Sequence, residues 1–175
     1  MRAIPVAIAA ALAVGSTARA EVVDVQANGF EVRQTVQIAG TPDKVYAAFS
    51  QIGHWWSSDH TFSRDASHLS LDPVAGGCFC EALPGGGSVM HLRVVYADPG
   101  KVLRLEGAIG PMQTLGATGH LTWSLSAKAG GTELVQTYDT GGYAKGGFAN
   151  WAPPVDMVLG QQVARLKAWV ETGKP

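Results

Sequence analysis

The chain has 175 residues, 46% of them hydrophobic and 15% charged, with a formal net charge of −1. That length suits one domain, and the balance excludes a disordered chain, which needs low hydrophobicity and high net charge. There is no basic surplus to recruit nucleic acid, two cysteines make no disulfide scaffold, and 22 glycines, many in pairs, indicate a turn-rich β protein.

The N-terminus reads as a leader. Met1-Arg2 supplies a positive start, Ile4 to Val14 is apolar apart from Pro5, and Ala18-Arg19-Ala20 puts small residues where a signal peptidase reads. The apolar run is too short for a stable membrane anchor. A signal peptide over residues 1–20, cut after Ala20, is therefore expected. It leaves one domain over 21–175, periplasmic or secreted, with 11 basic against 14 acidic side chains.

Residues 30–38 alternate, with Phe30, Val32, Gln34, Val36 and Ile38 on one parity, which predicts a half-buried strand. Thr41-Pro42-Asp43 opens a helix, threonine as N-cap and proline at its first position. Val45, Ala48, Phe49 and Ile52 follow at helical spacing up to Gly53, and His54-Trp55-Trp56 falls on a short second turn or helix. Further strands are expected near 68–72, 78–83, 88–97, 101–107, 118–127 and 132–139. Pro84-Gly85-Gly86-Gly87, Asp98-Pro99-Gly100-Lys101 and Ala129-Gly130-Gly131 turn the chain between them. Residues 140–154, with glycine pairs and Pro153-Pro154, read as an irregular loop. A helix over about 154–172 closes the chain, with Val155, Val158, Leu159, Gln162, Val163, Leu166, Trp169 and Val170 on one face.

This order, with its punctuation, resembles the helix-grip superfamily of START, polyketide-cyclase and birch-pollen-allergen domains (SRPBCC type). The closest look is to the activator-of-heat-shock-ATPase-like branch. The matching residues are Thr41-Pro42-Asp43-Lys44-Val45-Tyr46, Trp55-Trp56, and Gly76-Gly77 ahead of Phe79 and Glu81. The strand-turn-strand from Val94 to Leu105, Gly131-Thr132, and the closing stretch Val155 to Val170 complete the match. The resemblance implies an α+β fold: a curved antiparallel sheet of about seven strands wrapped around a long C-terminal helix, with two short helices after the first strand. It also implies a space between sheet and helix that holds apolar or amphipathic small molecules, with cyclisation or dehydration there in some members.

Trp55, Trp56, His60 and Phe62 form the densest aromatic stretch, suited to a pocket mouth or to a cap on the core. Phe79 and Glu81 share a strand parity. If Phe79 points inward, Glu81 enters an apolar cavity where desolvation raises its pKa and makes it a candidate general acid or base. The alternative turns the strand over and leaves Glu81 in water. His91 shares a face with Arg93, and packing Met90, Leu92, Val94 and Tyr96 inward sends His91 outward unless a bulge intervenes. Leu121, Trp123 and Leu125 read as inward, as do Leu134, Gln136 and Tyr138, so Gln136 and Tyr138 need polar partners from a ligand or a neighbouring side chain.

Cys78 and Cys80 are alternate residues of an expected strand, about 6.5 Å apart along it by the strand rise, whereas bridged Cβ atoms stand about 3.8 Å apart. Two small side chains packed on the strand are expected instead of a disulfide. Histidines 54, 60, 68, 91 and 120 show no HxxxH-type spacing, and no metal or cofactor is expected. The glycines around Tyr143 and Phe148 match no phosphate or dinucleotide motif. That aromatic loop and Gly110-Pro111-Met112-Gln113 are expected to cover the ends of the cavity.

The expected function is that of an exported protein holding a small apolar or aromatic molecule in a pocket of a few hundred Å³. Trp55, Phe79, Trp123, Tyr138, Gln136 and Met157 would wall it, with Glu81 or His60 as its polar group. A second reading is a cyclase or dehydratase-type enzyme in which Glu81 or His60 carries the proton. A third is a protein-interaction module, as in relatives that stimulate a chaperone ATPase. The leader counts against the third, since that chaperone and its ATP are cytosolic.

Overall fold

Apolar alternation writes one antiparallel sheet into this chain, and the computed structural model, which describes residues 19–175, shows it as eight strands. The strands are β1 (Arg19–Gln26), β2 (Gly29–Ile38), β3 (Leu69–Leu71), β4 (Cys78–Ala82), β5 (Ser88–Asp98), β6 (Val102–Glu106), β7 (Gly116–Lys128) and β8 (Gly131–Tyr143). Their spatial order is β1-β2-β8-β7-β6-β5-β4-β3, so β2 lies beside β8 and the rest are sequential neighbours. Helices α1 (Pro42–Phe49) and α2 (Ile52–Trp55) lead from β2 toward β3, and α3 (Ala152–Thr172) closes the chain. The leader expected over residues 1–20 lies outside the described residues except for Arg19 and Ala20, which open β1.

The expected α+β helix-grip architecture is what the chain adopts, with an eighth strand added. β1 escapes sequence reading because it is an edge strand whose Val22 and Val25 are only half-buried among exposed neighbours, so no clean alternation marks it. β8 also extends to Tyr143, through a glycine pair expected in a loop, because Gly116 to Gly119 of β7 pair with Thr140 to Tyr143.

Local signals act as they should. Thr41 Oγ1 accepts from Lys44 N at 3.3 Å with Pro42 behind the cap. At the other end of the chain Gly173, at φ 74°, adopts the left-handed turn that stops α3 and donates its N–H to Trp169 O. Leu159, Val163, Leu166 and Val170 of α3 are buried with Val32, Val36 and Ile38 of β2 in the same core. Phe49 of α1 stacks on Trp123 of β7, centroids 4.5 Å apart, and Trp55 meets the same indole edge-on at 6.2 Å.

Two bulges in β5 decide which of its residues face inward. Phe79 pairs with Leu92 and Cys80 with Met90, leaving His91 as an extra residue; Val94 pairs with Leu105 and Tyr96 with Arg104, leaving Val95 extra. His91 and Leu92 are therefore both buried, whereas Met90 and Tyr96 are 60% and 47% exposed. The expectation of an outward His91 and an inward Met90 and Tyr96 is corrected by these two insertions.

The cysteines also depart from the sequence expectation. Cys78 and Cys80 are joined by a disulfide, their Cα atoms 5.4 Å apart. An ideal extended strand holds such residues too far apart. Here the register slips between Phe79 and Cys80, opposite the bulge in the partner strand, and the Cα separation lies within the range of bridged cysteines.

Candidate functional site

The deep space between sheet and helix is filled. Trp55, Phe79 and Trp123 are 1% exposed and Tyr138 is fully buried, packed with Phe49 and Phe30. These four residues form core rather than cavity wall, contrary to the sequence expectation. Met157, also expected on the wall, points to solvent from the outer side of α3. Gln136 finds protein partners: it accepts from Trp123 Nε1 and donates to Gln34 Oε1, both at 2.6 Å, and Gln34 Nε2 donates to Asp156 Oδ1 at 2.6 Å. Tyr138 donates to Gly107 O at 3.1 Å and accepts from Ile109 N at 3.2 Å.

A cavity of about 320 Å³ remains at the mouth of the grip. Three segments build it. The first leaves α2 through Trp56 to Phe62 and is tied to α3: Arg165 Nε donates to Trp55 O at 2.7 Å, Ser57 N to Gln162 Oε1 at 2.8 Å, and His60 Nε2 lies 2.9 Å from Gln161 Oε1. The second is Ile109 to Met112, held by the Tyr138 hydroxyl and by Gln113 Nε2, which donates to Met90 O at 2.9 Å. The third is the start of α3, where Trp151, Val155, Val158 and Leu159 face the opening. Gly110 to Met112 line the cavity as expected, but the aromatic from the glycine-rich loop that reaches it is Trp151; Phe148 is buried against Phe30.

Of the sequence candidates, His60 lines the cavity together with Asp59, while Glu81 does not. Glu81 is buried one layer behind, where its carboxylate accepts from Ser63 N at 2.5 Å, from Phe62 N at 3.1 Å and from His91 Nε2 at 2.8 Å. His91 is the side chain between Glu81 and the cavity. Its ring lies against Phe79, centroids 4.9 Å apart, and stacks on Phe62 at 5.8 Å.

The electrostatics differ from the simple burial argument. Burial pushes the Glu81 carboxyl upward, but the hydrogen bonds from Ser63, Phe62 and His91 together outweigh it and hold the group below the ordinary glutamate range. The expected rise is therefore reversed. Burial likewise drives His91 below the ordinary histidine range, against the pull of Glu81. An ionised carboxylate can only accept, so at this contact the shared proton belongs to His91 Nε2. No periodicity marks His91, since its inward turn exists only because of the bulge; Trp151, Val155 and Val158 likewise carry no signal beyond helical amphipathicity.

A long helix gripped by a curved antiparallel sheet, with an apolar cavity at one end, defines a helix-grip domain. Residues 29–171 match the model of the family described as polyketide cyclase / dehydrase and lipid transport. The chain belongs to that family. No curated protein matches it. Among solved structures it is similar to the Aha1 dimer from Colwellia psychrerythraea, at 17% identity and TM-score 0.59, over 83% of this chain and 98% of that one. It is similar to a conserved protein of unknown function from Enterococcus faecalis at 15% identity and TM-score 0.58, over 91% and 78%. CalU16 from Micromonospora echinospora matches at 13% identity and TM-score 0.57, over 90% and 87%. At these identities the likeness shows the shared fold and singles out no branch of the superfamily. Among the described residues no group of three metal-ligating side chains converges, and no helix is long and apolar enough to cross a membrane.

Proposed function

We propose that the protein is an exported binding protein for a small, largely apolar or aromatic molecule, held at the mouth of the grip. The observation that carries this is the cavity itself: about 320 Å³ of space at the start of α3, walled by Trp56, Phe62, Met112, Trp151 and Val158. That volume lies at the lower end for small-molecule sites, and the mixture of apolar walls with a few polar groups is typical of them. Membership in a family that includes lipid transport supports the same reading. Export is supported by the leader pattern of residues 1–20 and by the Cys78–Cys80 disulfide, which persists best in an oxidising compartment.

A fluorescence titration with 2-naphthol tests the reading. Val158 lines the cavity, so Val158→Glu should weaken binding by roughly tenfold or more through a charge placed in an apolar site. Met157→Glu, on the solvent side of the same helix, should leave binding unchanged. Equal affinity for the wild type and Val158→Glu would move the ligand elsewhere.

A further inference from the structure

On the outer face of the sheet, outside the lining of the cavity, lies the Cys78–Cys80 disulfide. We propose that it is a thiol–disulfide exchange site, which passes two electrons reversibly between this chain and an external dithiol. This activity is separate from the binding reading and draws nothing from the cavity.

The bridge is poorly placed to hold the fold together. It joins two residues of one strand with a single residue between them, so it connects no two elements and closes a very short loop. A bridge constrains the unfolded chain less as its loop shortens. The strand is also held without it, since β4 is paired with β3 on one side and with β5 on the other. The bridge is better placed to be reached. Phe79 and Glu81, each 1% exposed, take the inner face of β4. Strand alternation then turns Cys78 and Cys80 to the outer face, where both are half-buried. Their cross-strand neighbours there are Arg93 beside Cys78, and Ser70 and Met90 beside Cys80, all three exposed. Exposed disulfides are the ones that exchange, whereas enclosed ones resist reduction.

The two sulfurs are not equivalent. Arg93 stands opposite Cys78 in the register, and a guanidinium there favours negative charge on a departing Cys78 sulfur. Two carboxylates compete for that influence. Glu106 meets Arg93 Nη2 at 3.6 Å, but both side chains are exposed and solvent weakens such a pair. Asp72 follows β3 and donates its N–H to Cys78 O at 3.1 Å. Cys80 has only the uncharged Ser70 and Met90 across from it. A thiolate of the external dithiol therefore attacks Cys80 Sγ. The S–S bond breaks, its electron pair leaves on Cys78, and Cys80 is held in a mixed disulfide. The second thiolate of the dithiol attacks its own sulfur in that bond and releases Cys80. The dithiol ends as a disulfide, this chain is reduced by two electrons, and the two protons lost by the dithiol reach Cys78 and Cys80 through solvent. Run backward, the reduced pair reduces a disulfide, so no further co-reactant is needed.

The test begins with the folded, oxidised chain, which is treated with dithiothreitol, quenched with iodoacetamide and weighed. Both cysteines should be alkylated without denaturant, and oxidised glutathione should re-form the bridge. The melting midpoint of the reduced chain should lie within about 4 °C of the oxidised one, because so short a loop adds little stability. Turnover is then measured with a two-cysteine peptide as electron donor and oxidised glutathione as acceptor. The wild-type chain should speed peptide oxidation by roughly tenfold or more over glutathione alone, and Cys80→Ser should abolish the gain. Arg93→Gln should slow reduction by dithiothreitol roughly threefold or more, with Arg93→Lys restoring most of the rate. A bridge that reacts only in urea, a fold that collapses when the bridge is reduced, or a peptide oxidised no faster with the chain than without it would overturn the proposal. Equal reduction rates in wild type and Arg93→Gln would overturn the role given to Arg93. The reduction, melting and turnover measurements need only wild-type protein, so a variant that fails to fold does not block the test.

Discussion

A carboxylate on which three N–H groups converge behaves differently from one left alone among apolar side chains, and Glu81 is the first kind. Its folded pKa lies below the ordinary value, so the stability it contributes is present above the unfolded glutamate pKa and is lost as pH falls through the folded one. His91 acts in the same direction for a different reason. Its folded pKa is also depressed, so below the unfolded histidine pKa of about 6.5 the unfolded chain binds a proton that the folded chain refuses. Stability should therefore fall in two stages on acidification, the first below about pH 6.5 from His91 and the second in the carboxylate range from Glu81 and the similarly depressed Glu171. Each kcal/mol lost lowers the melting midpoint by about 2–4 °C in a chain of this size. Circular-dichroism melts across pH 4 to 8 measure this, and His91→Gln should remove the first stage. A midpoint that stays level between pH 7 and 5 would show that His91 titrates alike in both states.

At the scale of elements, α3 is the piece on which the core closes. Leu166 is fully buried in the same core as β2, whereas Ala164 on the same helix is exposed. Leu166→Asp puts a charge without a partner into that core and should cost about 4 kcal/mol or more, unfolding the domain at physiological temperature. Ala164→Asp should cost less than about 1 kcal/mol, its helix propensity alone. Chemical denaturation of the two variants decides between them. The helix was legible because its period is carried by large apolar residues, and α1 because threonine and proline announce its start. The strands were legible wherever parity ran unbroken, as from Phe30 to Ile38 and from Leu121 to Leu125. Where β5 gains an extra residue at His91 and again at Val95, parity reverses locally, and nothing in the residue types announces the insertion. That reversal hid the polar centre of the site.

At the scale of the whole molecule, the grip is packed at its centre and holds an apolar cavity at the start of α3. Phe49, Trp55, Trp123 and Tyr138 are large enough to fill the space that the architecture alone would leave, so the cavity is displaced to the start of α3. Sequence reading identified a cavity-forming fold but not its location, because side-chain volumes summed across α1, β7 and β8 decide where space is left. The far edge of the same sheet bears on export. β1 pairs with β2 from Arg19↔Thr35 to Gln26↔Gly29, and a cut after Ala20 removes only the pairs made by Arg19 and Ala20. Glu21↔Arg33, Val22↔Val32, Asp24↔Glu31, Val25↔Phe30 and Gln26↔Gly29 remain, and none of the core residues is lost. The chain beginning at Glu21 should thus melt with the same midpoint as the chain beginning at Arg19, within about 2 °C, since removing two residues at a strand end away from the core costs under about 0.5 kcal/mol. Intact mass of the protein recovered from the exported fraction should correspond to a start at Glu21, lower by two hydrogen atoms than the reduced chain because of the Cys78–Cys80 bond. A mass that retains residues 1–20 would overturn the export proposal, and a start at Glu21 with free thiols would place the folded chain in a reducing environment.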